Sequence, residues 1–452
     1  MARPTELPTM ESGGNKHHAE RAAPGSERLH ESATEVFPGG VSHNIRYHEP
    51  HPLYVESASG ATIRDVDGNE YVDYWMNHQT SVLGHAYPAV VEAVQEQAAD
   101  GLHYGTPNET GLAFARKILE AFPAAERLRF TSSGTEATMY AVRLARATTG
   151  KDHILKAEGG WHGGSSDLSS AVHSPFDRRT TAGLPPGVEE HVHAFPINDE
   201  AAVEDLFEQY DVGGVIVEPM LLAGGGVECE ADFLTFLREE TRRRDAQLIF
   251  DEVVTGFRVS PGSYQARVGI EPDLTTFGKV AGGGLPIGGL AGRADLFERA
   301  KPNANVPPEQ AILAGGGTFT MNPMTATAGL ATLEVLESEP VYEHTESWGE
   351  RVRSRLAEIF ADRGVDARVL GTSSLFCPHF EPEAPLTDVK AVETATNRSA
   401  LVKFHDRLID RGHYHLPGHM GSVSYQTTEA QLEDLLESSE EVIQELQAEE
   451  VL

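Results

Sequence analysis

"RLRFTSSGTEATMYAVRLARATTG", residues 127 to 150, passes from a short β-prone run through a Ser-Ser-Gly-Thr turn into a pattern of helical spacing that starts near Thr135. A strand, a tight turn and a long helix in that order form the first half of a strand–helix–strand unit. The same grammar recurs down the chain. "HILKAEG" (153–159), "VGGVIVEPM" (212–220) and "AQLIFDEV" (246–253) are short apolar runs that end in glycine or polar residues, with helical patterns between them. Strands alternating with helices over more than two hundred residues predict an α/β fold with a mainly parallel sheet covered on both faces.

Working outward, residues 31–75 alternate short β-prone runs with turn signals, notably Asp67-Gly68, and predict a strand-rich entry segment. In "GHAYPAVVEAVQEQAADG", Ala89, Val90, Ala93, Val94 and Ala98 recur at helical intervals. From about residue 327, helical patterns surround a few strands, which predicts a smaller α+β domain. The expected organisation is therefore a mobile tail over 1–25, an N-terminal segment over 26–84 that packs with the small domain, a large domain over 85–326 and the small domain over 327–452. The tail is rich in proline, glycine and charge, and its His17-His18 pair is read as solvated.

Of 452 residues, 40% are hydrophobic, and no apolar run approaches the roughly 20 residues that span a bilayer. The N-terminus also lacks the apolar core of a secretory signal. Net charge is −33, spread along the chain, and such a surface repels nucleic acid and anionic lipid. Two cysteines, Cys229 and Cys377, stand far apart and argue against a disulfide framework or a zinc ribbon, so a reducing cytoplasm is expected. Only eight residues are lysine, and the acid excess resembles that of halophilic proteins.

Ligands of open α/β sheets sit beyond the carboxyl ends of the strands, so the residues following each apolar run bear the chemistry. Ser133, Gly134 and Thr135 lie where a helix begins, with hydroxyls and unpaired N–H groups suited to a phosphate; taken alone, an ordinary N-cap accounts for them better. Asp251 and Glu252 end a strongly apolar strand, where a carboxylate needs a cation or a donor. Arg258 or a protonated ring nitrogen of a cofactor would serve. Lys279 follows "LTTFG" and precedes Gly282–Gly284, glycines that would leave room around its ammonium. A desolvated lysine has a depressed pKa and attacks carbonyls. A phosphate anchor, a carboxylate and a lysine nucleophile together form the set that pyridoxal 5'-phosphate requires.

The stretches "SSGTEATMYAVRLAR", "GGWHGG", "LIFDEVVTGFRV", "PDLTTFGKVAGGGLPIGG" and "GGGTFTMNPMTATAGLATLE" resemble class III pyridoxal-phosphate aminotransferases of fold type I, and among them the glutamate-1-semialdehyde aminomutases. The resemblance spans some nine-tenths of the chain. It implies that Lys279 binds the cofactor aldehyde covalently and shuttles the substrate proton, and that Asp251 pairs with the ring nitrogen. Val253 would pack beneath the ring and Trp161 above it. Ser133, Gly134 and Thr135 would hold the phosphate, joined by Thr318 from a neighbouring subunit, which implies a homodimer with shared sites. Arg46 would bind a substrate carboxylate, with His43 and Glu218 also facing substrate. The partners implied are a small-molecule amino donor and a keto or aldehyde acceptor. Two departures bear on substrate: His43 stands where the aminomutases have serine, and "YHLPGHMGSVSYQTT" (414–428) is shorter than their pattern and lacks its glutamate. The polar segment after Trp161 is a candidate lid or a plain surface loop.

Overall fold

The computed structural model describes residues 23–452 except 179, 185–186 and 313–314, so residues 1–22 of the expected tail over 1–25, including His17 and His18, lie outside the described residues, while Pro24 and Gly25 already belong to a helix. Where strands were expected first, a helix forms over Pro24–Thr34: proline occupies its first turn with Glu27, both favoured there. Strands start only with β1 (Val55–Ser59), β2 (Thr62–Asp65) and β3 (Glu70–Asp73).

The large domain carries β4 (Arg127–Thr131), β5 (His153–Ala157), β6 (Val192–Phe195), β7 (Val212–Val217), the small hairpin β8 (Met220–Leu221) and β9 (Val227–Glu228), then β10 (Gln247–Glu252), β11 (Leu274–Gly278) and β12 (Gly288–Gly292). Seven of these form one sheet in the order β4-β12-β11-β10-β7-β5-β6. β12 alone runs antiparallel to its neighbours, so the expected mainly parallel sheet is present with one reversed strand.

Side-chain alternation along β10 sorts its residues between two cores. Leu248 and Phe250 enter a core that reaches the C-terminal region, while Ile249 joins Ala141, Leu144, Ile216 and Leu274 under the helix Gly134–Thr149. Each of the leucine, isoleucine and phenylalanine side chains here, fully buried, contributes about 1.5–3 kcal/mol. Asp251 has the parity of Ile249, so it emerges on the face whose covering helix begins at Ser133-Gly134.

The helix Pro323–Ser338 crosses the domain boundary expected between 326 and 327. It packs on the helices Pro88–Asp100 and Glu109–Ala121 and on the turn after Lys279, with Ala328, Leu333 and Leu336 in one core with Phe114, Val280 and Ala281. By packing it extends the large domain. Beyond it lie the helix Val341–Asp362, β13 (Ala367–Leu370), β14 (Leu375–Phe380), the helix Arg398–Asp410, β15 (His413–Tyr414), β16 (Gly421–Ser422) and the helix Glu429–Ala448. β13, β14 and β16 form a three-stranded sheet, and β15 pairs with β3, which joins the N-terminal segment to the C-terminal region.

Candidate active site

The parallel register of β10 and β11 sets Asp251 opposite Thr276. Thr276 Oγ1 donates to Asp251 Oδ1 at 2.8 Å, and the Val253 N–H donates to the same oxygen at 3.1 Å. His162 Nδ1 lies 2.7 Å from Asp251 Oδ2. A carboxylate there makes Nδ1 the protonated nitrogen of a neutral ring, and burial lowers the imidazole's pKa although Asp251 opposes that. Three donors thus fix the orientation of one buried carboxylate. Arg258, the alternative partner weighed from sequence, points elsewhere: it donates to Gln79 O and to the hydroxyls of Ser374 and Ser422. Glu252 is wholly internal and accepts from Tyr264 N, Gln265 N, Gln265 Nε2 and Thr255 Oγ1, a structural role.

At the helix start, Ser133 caps in the ordinary way, its hydroxyl accepting from Glu136 N at 3.2 Å. The N–H groups of Gly134 and Thr135 lie in the first turn, where a helix has no acceptor of its own and attracts anions. Val253 lies against this turn, since a Cβ on Gly134 would come within 3.1 Å of its methyl carbon. The helix start at Ser133-Gly134, Val253 and Asp251 are therefore contiguous. Thr318 is exposed in the single chain. Trp161 is 46% exposed, and its backbone N–H donates to Glu218 Oε1 at 2.8 Å.

Lys279 begins a turn after β11, with φ of 42°, and its ammonium has no hydrogen bond or ion pair among the described residues. Burial lowers its pKa, while the carboxylates of Asp251 and Glu218 oppose the shift and Arg258 adds to it. Glu218 is itself pushed up, by burial first and then by Asp251. Of the glycines that follow, Gly283 has a packing role of its own. A Cβ on Gly283, where φ is 57°, would lie 2.5 Å from both Ala328 O and Thr332 Oγ1, so this glycine lets the turn pack on the helix Pro323–Ser338.

Sequence reasoning passed over several residues. His162 stood inside the quoted "GGWHGG" and Thr276 inside "LTTFGK", but nothing local tied either to Asp251. Lys156 is fully buried and donates to the carbonyls of Gly160, Leu168 and Ser170 at 3.0, 3.3 and 2.6 Å, which ties down the start of the segment carrying Trp161 and His162. Farther along the same segment, Ser174 N donates to Glu393 Oε2 of the C-terminal region at 2.7 Å. At the mouth of the site, His78 stacks on Trp75 with centroids 4.7 Å apart, His43 meets His78 edge-on at 6.5 Å, and His419 lies 5.7 Å from Trp75. Arg46, exposed, donates to Ser42 Oγ at 2.8 Å and acts electrostatically on His78.

A fixed buried carboxylate, an unpartnered lysine and open N–H groups around one valine suit a phosphorylated aromatic aldehyde with a ring nitrogen. The comparisons agree with such chemistry. A glutamate-1-semialdehyde 2,1-aminomutase of Methanothermobacter thermautotrophicus is 39% identical over 92% of this chain and 98% of its own. An omega-transaminase structure from Sphaerobacter thermophilus superposes with a TM-score of 0.87 at 33% identity, over 93% of this chain and 98% of that one. A beta-phenylalanine aminotransferase from Variovorax paradoxus gives 0.84 at 31%, over 94% and 95%. The profile of the family described as Aminotransferase class-III matches residues 44–411, and with these relatives it shows that the chain belongs to the class III aminotransferases.

Proposed function

We propose that the protein is a pyridoxal-phosphate aminotransferase for amines that carry an acid group, with a keto acid or aldehyde as acceptor. One observation carries this reading. In a chain of net charge −33, the cationic groups acting on His78 at the mouth of the site are Lys279 and Arg46, while burial lowers His78 to about 3 and His419 to about 4 and keeps both rings neutral. Such a pair of cations attracts a carboxylate and disfavours a further ammonium. The bound cofactor supplies an electron sink at the substrate's amine-bearing carbon. Asp251 would hold the ring nitrogen, Val253 and Trp161 the two faces of the ring, and Ser133, Gly134 and Thr135 the phosphate with Thr318 of a second copy in a homodimer. Lys279 Nζ, its pKa lowered, takes the proton from the amine-bearing carbon and returns it. Arg46 receives the substrate acid beside His43, and Glu218 holds the Trp161 loop by its N–H. Both cysteines are buried and free, which fits a reducing compartment.

Similarity to the aminomutase relative favours a second reading, in which the amino group returns to the same skeleton and no acceptor is needed. A half-reaction screen of α-, β- and ω-amino compounds, followed by cofactor absorbance, tests both. The leading reading expects conversion of the cofactor to its amine form by an acid-bearing amine and recovery with a keto acid. Rapid isomerisation of glutamate-1-semialdehyde without an added acceptor overturns it.

A further inference from the structure

Four consecutive residues, none of them glycine, have positive φ: Met76, Asn77, His78 and Gln79 at 44, 54, 58 and 56°. With ψ of 49 and 45° at Asn77 and His78, this is a turn of left-handed helix, which every Cβ in it disfavours. Asparagine and, less readily, histidine are tolerated in that region; methionine and glutamine are not favoured there. The surroundings impose the strain from both ends. Asp73 Oδ1 accepts from Trp75 N and Met76 N at 2.8 and 2.9 Å, the fully buried Arg258 donates to Gln79 O, and Gln79 Nε2 donates to Met420 O at 2.9 Å. Met76 and Gln79 are buried, whereas His78 is half-buried.

His78 is thus the ring that the clamp holds out. Neither of its nitrogens has a hydrogen-bond partner among the described residues, and its face rests on Trp75 with His43 at its edge. Strain held by several independent contacts collects at functional positions. We propose that the Met76–Gln79 turn is a recognition element and His78 its specificity-determining residue, donating an imidazole N–H to the substrate's acid group beside Arg46 while Trp75 holds the ring in place. This rests on the reading of the protein as an aminotransferase for acid-bearing amines.

The test uses the cofactor-loaded full chain with His78→Gly, which removes the donor and suits the backbone, and His78→Asn, which keeps a shorter donor and also suits it. The readout is the ratio of kcat/KM for β-phenylalanine to that for 1-phenylethylamine, its counterpart without the acid. A donor to a carboxylate predicts a ratio about tenfold lower in His78→Gly, a smaller loss in His78→Asn, and melting temperatures at or above wild type. A ratio within threefold of wild type in His78→Gly overturns the proposal. The dissociation constant of 3-phenylpropanoate, read from tryptophan fluorescence, needs no turnover. If the wild type converts neither amine, the aminotransferase reading fails for this class and that constant decides: more than threefold weaker in His78→Gly supports the role of His78, and a smaller change overturns it.

Discussion

Replacing His162 by phenylalanine removes one of the three donors on Asp251 and keeps a ring of similar size in the same buried space. The lost contact is the 2.7 Å bond from Nδ1 to Oδ2; the bonds from Thr276 and Val253 both end on Oδ1 and remain. Oδ2 would then be without a protein donor among the described residues. A hydrogen bond to a charged group contributes about 1.5–3 kcal/mol, and here neither partner is exposed, so solvent screening does not reduce it. If that energy holds the carboxylate toward the ring nitrogen, cofactor affinity falls by about 10- to 150-fold. Titration of apoprotein with pyridoxal phosphate measures this directly, and the rate of the amine half-reaction should fall with it. His162→Gln, whose amide can still donate, should recover part of both. Affinity and half-reaction rate within threefold of wild type in His162→Phe would refute the argument that His162 orients Asp251.

Lys279→Ala should abolish the half-reaction yet still bind pyridoxal phosphate non-covalently, because the phosphate turn is built from other residues; measurable amine conversion in a spectrophotometric assay would contradict this. The stacked rings of His405 and His415, 4.7 Å apart and fully buried, predict acid lability. Burial lowers His405 to about 3 and His415 in the same direction, so the unfolded chain binds protons that the fold refuses. Their stabilising contribution is intact above about pH 6.5 and is lost at up to about 1.4 kcal/mol per ring for each pH unit as pH falls toward the folded values. Guanidinium unfolding at pH 7.5 and pH 5 checks it, and His415→Phe should flatten the dependence. Finally, the net charge of −33 predicts a melting temperature that rises with potassium chloride from about 0.1 to about 1 M, as the screening length shrinks from about 10 to about 3 Å. A flat or falling curve would remove electrostatic repulsion as the cause.

What the chain specifies locally was legible without coordinates. The apolar runs that became β5, β7 and β10, the turn at Ser133-Gly134 and the polar residues at strand ends follow from period, breakers and the rule that open sheets bind at their carboxyl edge. Those signals act within about ten residues, so they placed Ser133, Asp251 and Lys279 correctly on their elements. Other features depend on what lies across space. The pairing of Asp251 with Thr276 is a matter of strand register, and its pairing with His162 joins residues 89 apart. The Pro24–Thr34 helix, short and weakly patterned, and the Pro323–Ser338 helix, assigned by the faces it covers, shifted the expected boundaries. "MNHQ" contains no glycine to announce a left-handed turn; Asp73 just before it, together with Arg258 and Met420 from distant parts of the chain, imposes it. Composition and pattern determined the layers and the chemistry on offer, whereas only tertiary packing decided which donors fix Asp251 and which ring the Met76–Gln79 turn stacks on Trp75, because those are contacts between segments that no local preference brings together.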